Sequence, residues 1–149
     1  MKFGDLGKAT VQIAAYKRMA TTLGYQRGIT ETILQEGTIF LINRDLGRAL
    51  HYFNQVIDLS TKHNFSSLLS SAYMNLGLVF YDQDTALALI QASLRIEKRL
   101  GNKKKQLKRH NNLAVIYLRQ KDHLSALQNF FVALELSIEL KDNQARLSK

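Results

Sequence analysis

Four histidines, His51, His63, His110 and His123, are the side chains of this chain best suited to proton transfer or metal binding. No pair of them forms HxxxH or another metal-ligand spacing. Without cysteine the chain has no thiolate zinc site and no disulfide framework. The carboxylates Asp82 and Asp84 read as helix-capping groups, and Glu135 with Glu139 as one exposed helix face. "GDLG" at 4–7 reads as a turn plus a cap rather than a phosphate loop. No nucleophile, base and oxyanion site assemble from these residues. The expectation is a non-catalytic protein with no cofactor and no metal. Cationic chemistry is concentrated instead. Residues 95–110 hold eight basic side chains against Glu97 alone, a net +7 of the chain's +9. Arg95, Arg99, Lys103, Lys104, Lys105, Lys108 and Arg109 are therefore a candidate anion patch for an acidic partner or nucleic acid. The plainer reading is a solvated helix end, since Arg95, Lys98 and Arg99 fall where cations favour the dipole. No aromatic residue lies between 95 and 110 to stack a base, so phosphate or carboxylate contact is expected over sequence readout.

The elements that carry these residues repeat. "DLGKA" at 5–9 returns as "DLGRA" at 45–49, and the alanine column continues as Ala9, Ala49, Ala86 and Ala126. Four residues before each alanine stands Asp5, Asp45, Asp82 or Asp122. Four residues after it stands Ile13, Phe53, Ile90 or Phe130. A second series, Gly37, Gly77 and Ala114, precedes Phe40, Phe80 and Tyr117 by three. The middle copy is three residues shorter between Phe80 and Asp82, where one helix hands over to the next. "ALHYFNQVIDLSTK" carries apolar residues at i, i+1, i+4, i+7 and i+8, an amphipathic helical stripe. Each Asp is placed to cap a helix. Gly24, Asn64 and Gly101 share a column where a left-handed residue ends one.

These signals predict helices at about 5–23, 28–43, 46–63, 66–80, 83–100, 104–120 and 123–140, with another beginning at 143. Proline is absent, as helices prefer. Apolar residues make up 46% of the chain, enough for a core, yet no apolar run approaches the roughly 20 residues that span a bilayer. The N-terminus lacks the apolar core of a signal peptide. The expected setting is cytoplasmic, with no membrane.

The columns resemble the tetratricopeptide repeat, most clearly in "NLAVIYLRQKDHLSALQNFFVAL" at 112–134, where Leu113, Ala114, Tyr117, Ala126, Phe130 and Ala133 fill the signature positions. Here the repeat is 40 residues rather than about 34. The longer form is similar to repeats of bacterial signalling and regulatory proteins. The resemblance implies an all-α, right-handed α-solenoid of antiparallel helix pairs, a single array over 1–149. Within it, 1–25 is a partial repeat, 26–64, 65–101 and 102–141 are full repeats, and 142–149 starts another. It also implies binding of a protein or peptide partner on a concave face lined by the first helix of each pair. Gln35, Thr38, Asn75, Leu78, Lys108, Asn111, Asn112 and Val115 would line that groove, with Tyr81 beside them. The amides Gln35, Asn75 and Asn112 share one column and can pair with both N–H and C=O of an extended peptide. The family's carboxylate clamp falls on Leu34, Thr38, Asn75, Lys108 and Asn112. Only Asn75 and Lys108 carry the required side chains, which argues against a clamp.

The chain opens inside one repeat and stops inside another, so an excised piece of a longer protein is expected. Val11, Ile13, Tyr16 and Met19 would then lack a covering helix, predicting self-association through unsealed repeat ends.

Overall fold

The computed structural model describes residues 3–80 and 82–149. Tyr81, one of the expected groove residues, lies outside them. The described residues form seven helices: α1 Phe3–Thr22, α2 Gln26–Ile42, α3 Leu46–His63, α4 Ser66–Val79, α5 Gln83–Leu100, α6 Lys103–Arg119 and α7 His123–Leu147. The chain divides into two compact units, Met1–Val79 and Phe80–Lys149. The division falls between Val79 and Phe80, next to the shortened stretch of sequence. The first unit holds α1–α4 and the second α5–α7.

Helix starts follow the aspartate column. The carboxylate of Asp45 accepts from the Arg48 N–H at 3.2 Å, that of Asp82 from Thr85 at 2.9 Å, and that of Asp122 from Ser125 at 3.1 Å. Each satisfies one orphan donor of a first turn. Asp5 does not cap: α1 begins at Phe3, so Asp5 lies within its first turn. Asn102 caps α6 instead of an aspartate, accepting from the Lys105 N–H at 3.2 Å.

Helix ends are equally regular. Gly24, Asn64 and Gly101 adopt φ of 64°, 58° and 67°. The following residues, Tyr25, Phe65 and Asn102, donate their N–H groups to carbonyls five residues back, at 2.8, 2.9 and 3.0 Å. This geometry closes a helix with a left-handed residue. Arg44 and Lys121 do the same at φ 62°, and the N–H groups of Asp45 and Asp122 reach Phe40 and Tyr117 at 2.9 Å. In these two turns the aspartate ends one helix and caps the next. In the sequence the middle copy is three residues shorter at the corresponding place.

Packing explains the small columns. Ala49, Ala86 and Ala126 are buried, as are Gly37, Gly77 and Ala114. A Cβ on Gly37 would stand 2.8 Å from the ring of the fully buried Phe53, so only glycine lets α2 meet α3 here. In the first unit Ile33, Val56, Leu68 and Ala72 form a core, flanked by Ile29, Tyr52, Ile57 and Phe65. An ion pair from Lys17 to Glu36 at 2.8 Å ties α1 to α2. In the second unit α5 buries Ile90, Leu94 and Ile96, α6 buries Leu113, Ala114 and Ile116, and α7 buries Ala126 and Ala133.

One expectation fails at the C-terminal end. Residues 142–147 do not begin a further helix but extend α7, which runs unbroken for 25 residues. Lys141 holds the column of Gly24, Asn64 and Gly101. Neither glycine nor asparagine stands there, and the hydrogen-bond ladder continues.

Candidate interaction surface

In the first unit α2 and α4 pack side by side. Thr38 donates its hydroxyl to the Leu34 carbonyl at 2.8 Å and accepts the Asn75 side-chain N–H at 3.3 Å. That bond fixes which way the Asn75 amide points. Gln35 is exposed one turn before Thr38, and Leu78 is 55% exposed one turn after Asn75. Gln35 and Thr38 also border a cleft of about 450 Å³ between α1 and α2. Its walls are mostly apolar, from Ile13, Tyr16, Ile39 and Ile42. A mostly apolar hollow with a few convergent polar groups suits a peptide side chain with its flanking amides. Val11 and Met19, the other α1 residues expected to lack cover, are 69% and 59% exposed.

In the second unit the expected groove residues all sit on α6. Lys108, Asn111 and Val115 are exposed, and Asn112 is half-buried. Asn111 borders a shallow depression of about 270 Å³ with Leu107, Phe130, Ala133, Leu134 and Ser137. The structure thus brings Gln35, Thr38, Asn75 and Leu78 together in one unit. It places Lys108, Asn111, Asn112 and Val115 along one helix of the other.

The basic cluster is less free than its charge count implies. Arg109, expected in the anion patch, is buried instead. Its Nε donates to Ser93 Oγ at 2.7 Å and its Nη2 lies 3.9 Å from Glu97 Oε1. Burial pushes its guanidinium below its ordinary value, while Glu97 pulls it back up. Lys105 also approaches Glu97, at 3.8 Å, and Lys103 pairs with Glu139 on α7. Arg95, Arg99, Lys104 and Lys108 remain exposed and make no ion pair among the described residues. Glu97, the lone acid of the segment, is therefore its buried counter-ion. The signal lay in the columns: Glu97 stands where α1 has Ala20 and α3 has Ser60, both buried small residues.

His110 is a packing residue. It is buried, and Nδ1–H donates to Asn129 Oδ1 at 2.9 Å. Among the described residues no group of three or more His, Asp or Glu side chains is placed to hold a metal. None of the described helices is long and apolar enough to cross a membrane.

These helix pairs define an all-α helical-repeat protein. No protein-family model matches the sequence, and no curated protein matches it either. A solved structure shares the architecture. BtubC (BKLC) from P. vanneervenii superposes with a TM-score of 0.78 at 19% identity over 93% of this chain. This chain spans 59% of the length of that one. Two MamA structures, the RS-1 ArsTM double mutant and the 41-end form from Desulfovibrio magneticus RS-1, align over 93% of this chain at 18% identity. Their TM-scores are 0.45 and 0.43, and they cover 89% and 98% of those chains.

Proposed function

We propose that this chain is a tetratricopeptide-type binding module, without catalytic activity of its own, that receives an extended peptide segment of a protein partner. The observation that carries this reading is the α1–α2 cleft, with Gln35 and Thr38 on its rim and Asn75 bonded to Thr38. Apolar walls take a side chain, while the amides pair with peptide N–H and C=O groups whatever the sequence. On α6 the same chemistry recurs, Asn111 and Asn112 standing beside the exposed Val115 and the cation of Lys108. The role fits a component of a larger bacterial regulatory or signalling protein acting in the cytoplasm.

The test is selection of binders from a random-peptide library, with affinities measured against variants. Gln35→Ala and Asn75→Ala are expected to weaken selected peptides at least tenfold, which is about 1.4 kcal/mol. Ile39→Asp, which places a charge in the cleft, is expected to abolish binding. Selected peptides that bind all three variants as tightly as the parent would overturn the assignment.

A further inference from the structure

We infer that α7 carries a dimerisation seam, which pairs antiparallel with the same seam of a second copy of this chain. Leu124, Leu127, Phe131, Leu134 and Ile138 follow alternating spacings of three and four residues. That is the a/d pattern of a helix-pairing stripe. All five are more than half exposed, at 67, 54, 55, 55 and 52%. The stripe is about 21 Å long at the helical rise. It lies opposite the side of α7 that meets α6, where Ala126 and Ala133 are buried and Asn129 bonds His110.

Stacking of repeats does not account for this stripe. Aligned on the alanine column, Leu124, Phe131 and Ile138 occupy the places of Gly47, Asn54 and Thr61 in α3, and of Asp84, Gln91 and Lys98 in α5. All six counterparts are polar or glycine, and five are exposed. A neighbouring helix pair therefore leaves five of these six positions exposed, while Gln91 is half-buried and donates to the Tyr117 hydroxyl at 3.4 Å. Leu127 and Leu134 differ, since their counterparts Leu50, Ile57, Leu87 and Leu94 are half-buried or buried. Only α7 adds a large apolar residue at every outer position.

A second copy fits the seam in one direction. Antiparallel pairing sets Phe131 against Leu134 and Leu127 against Ile138. The next d position, Lys141, then meets Leu124 at the end of the stripe, where its aliphatic stem packs and its ammonium reaches water. The same register faces Asp142 with His123. Parallel pairing would oppose Lys141 with Lys141, and it would align the two helix dipoles unfavourably. With Phe130 at the margin, the exposed side chains offer roughly 500 Å² per copy. The pair reaches the approximately 1,000 Å² at which specific interfaces begin.

Sedimentation of the intact chain tests this inference. It is expected to show a dimer that Phe131→Glu weakens roughly a hundredfold. The double change Phe131→Asn with Ile138→Thr installs the residues of α3, is compatible with the fold, and is expected to give the same loss with unchanged circular dichroism. Val11→Glu on α1 is expected to leave the dimer intact. Because the chain has no cysteine, register can be read directly. A mixture of Phe131→Cys and Leu134→Cys proteins should form the mixed disulfide in preference to either homodimer. A monomer at all accessible concentrations would overturn the inference. So would a dimer that withstands both α7 variants or dissociates with Val11→Glu, and so would preferential Phe131→Cys homodimer crosslinking.

Discussion

Glu97 is fully buried in α5 where the equivalent positions of α1 and α3 carry Ala20 and Ser60. Two further columns change with it: Val56 becomes Ser93, and Ala72 becomes Arg109. One helix interface thus exchanges a small, uncharged set for an ionic one. The hydroxyl of Ser93 accepts from Arg109, and the missing bulk of valine makes room for the guanidinium. Buried ion pairs are expensive to halve and cheap to replace whole, because desolvation is lost with the charges. Glu97→Gln leaves Arg109 buried beside a neutral amide, and chemical denaturation is expected to show a loss of about 3 kcal/mol. The triple change Ser93→Val, Glu97→Ser and Arg109→Ala rebuilds the α3–α4 pattern and is expected to match or exceed the parent. If Glu97→Gln costs nothing, the pair contributes no stability and the column exchange has another cause.

Helix boundaries here are set by single side chains. At Asp82 and Asp122 the hydroxyls of Thr85 and Ser125, with the N–H groups of the same residues, hold the carboxyls below the ordinary 3.8. A carboxyl whose folded pKa is depressed stabilises the fold fully above its unfolded value, and the contribution disappears as pH falls through the folded one. Asp122→Ala is therefore expected to lower the melting temperature at about pH 6, with the gap to the parent closing as the solution is acidified below the ordinary value. A gap independent of pH would mean that the capping charge is not the source of the effect. These caps and the glycine and asparagine stops were visible in the sequence, because their chemistry is local. Arg44 and Lys121 were not. Long cationic side chains give no sign of a left-handed backbone, and the turn is imposed by the helices on either side.

For the whole molecule, a charge of +9 creates a field that attracts polyanions, but the residues free to act on it are fewer than the composition implies. Lys103, Lys105 and Arg109 are committed to Glu139 and Glu97, which leaves Arg95, Arg99, Lys104 and Lys108 of the proposed patch. Binding of a single-stranded oligonucleotide is expected to be weak and salt-dependent. Replacing Lys104 and Lys108 with alanine should flatten the plot of log K against log salt by about 1.4, near 0.7 for each cation removed. An unchanged slope would show that these lysines only solvate the surface.

By itself the sequence determined that the chain is a helical repeat, where most helices begin and end, and which small residues let helices meet. Those properties depend on contacts within a turn or on a periodicity that a single strand of letters displays. Only the tertiary structure decided how the side chains were used. Phe53 and Phe130 share a column, yet one is fully buried and the other 38% exposed, because burial depends on which neighbour is present. Arg109 looked like surface charge until the fold set it against Ser93 and Glu97. Gln35 and Thr38 border a cleft only because α1 forms its other wall. Local propensity acts over a few residues of chain, whereas a site is made where distant residues are brought together, and packing alone does that.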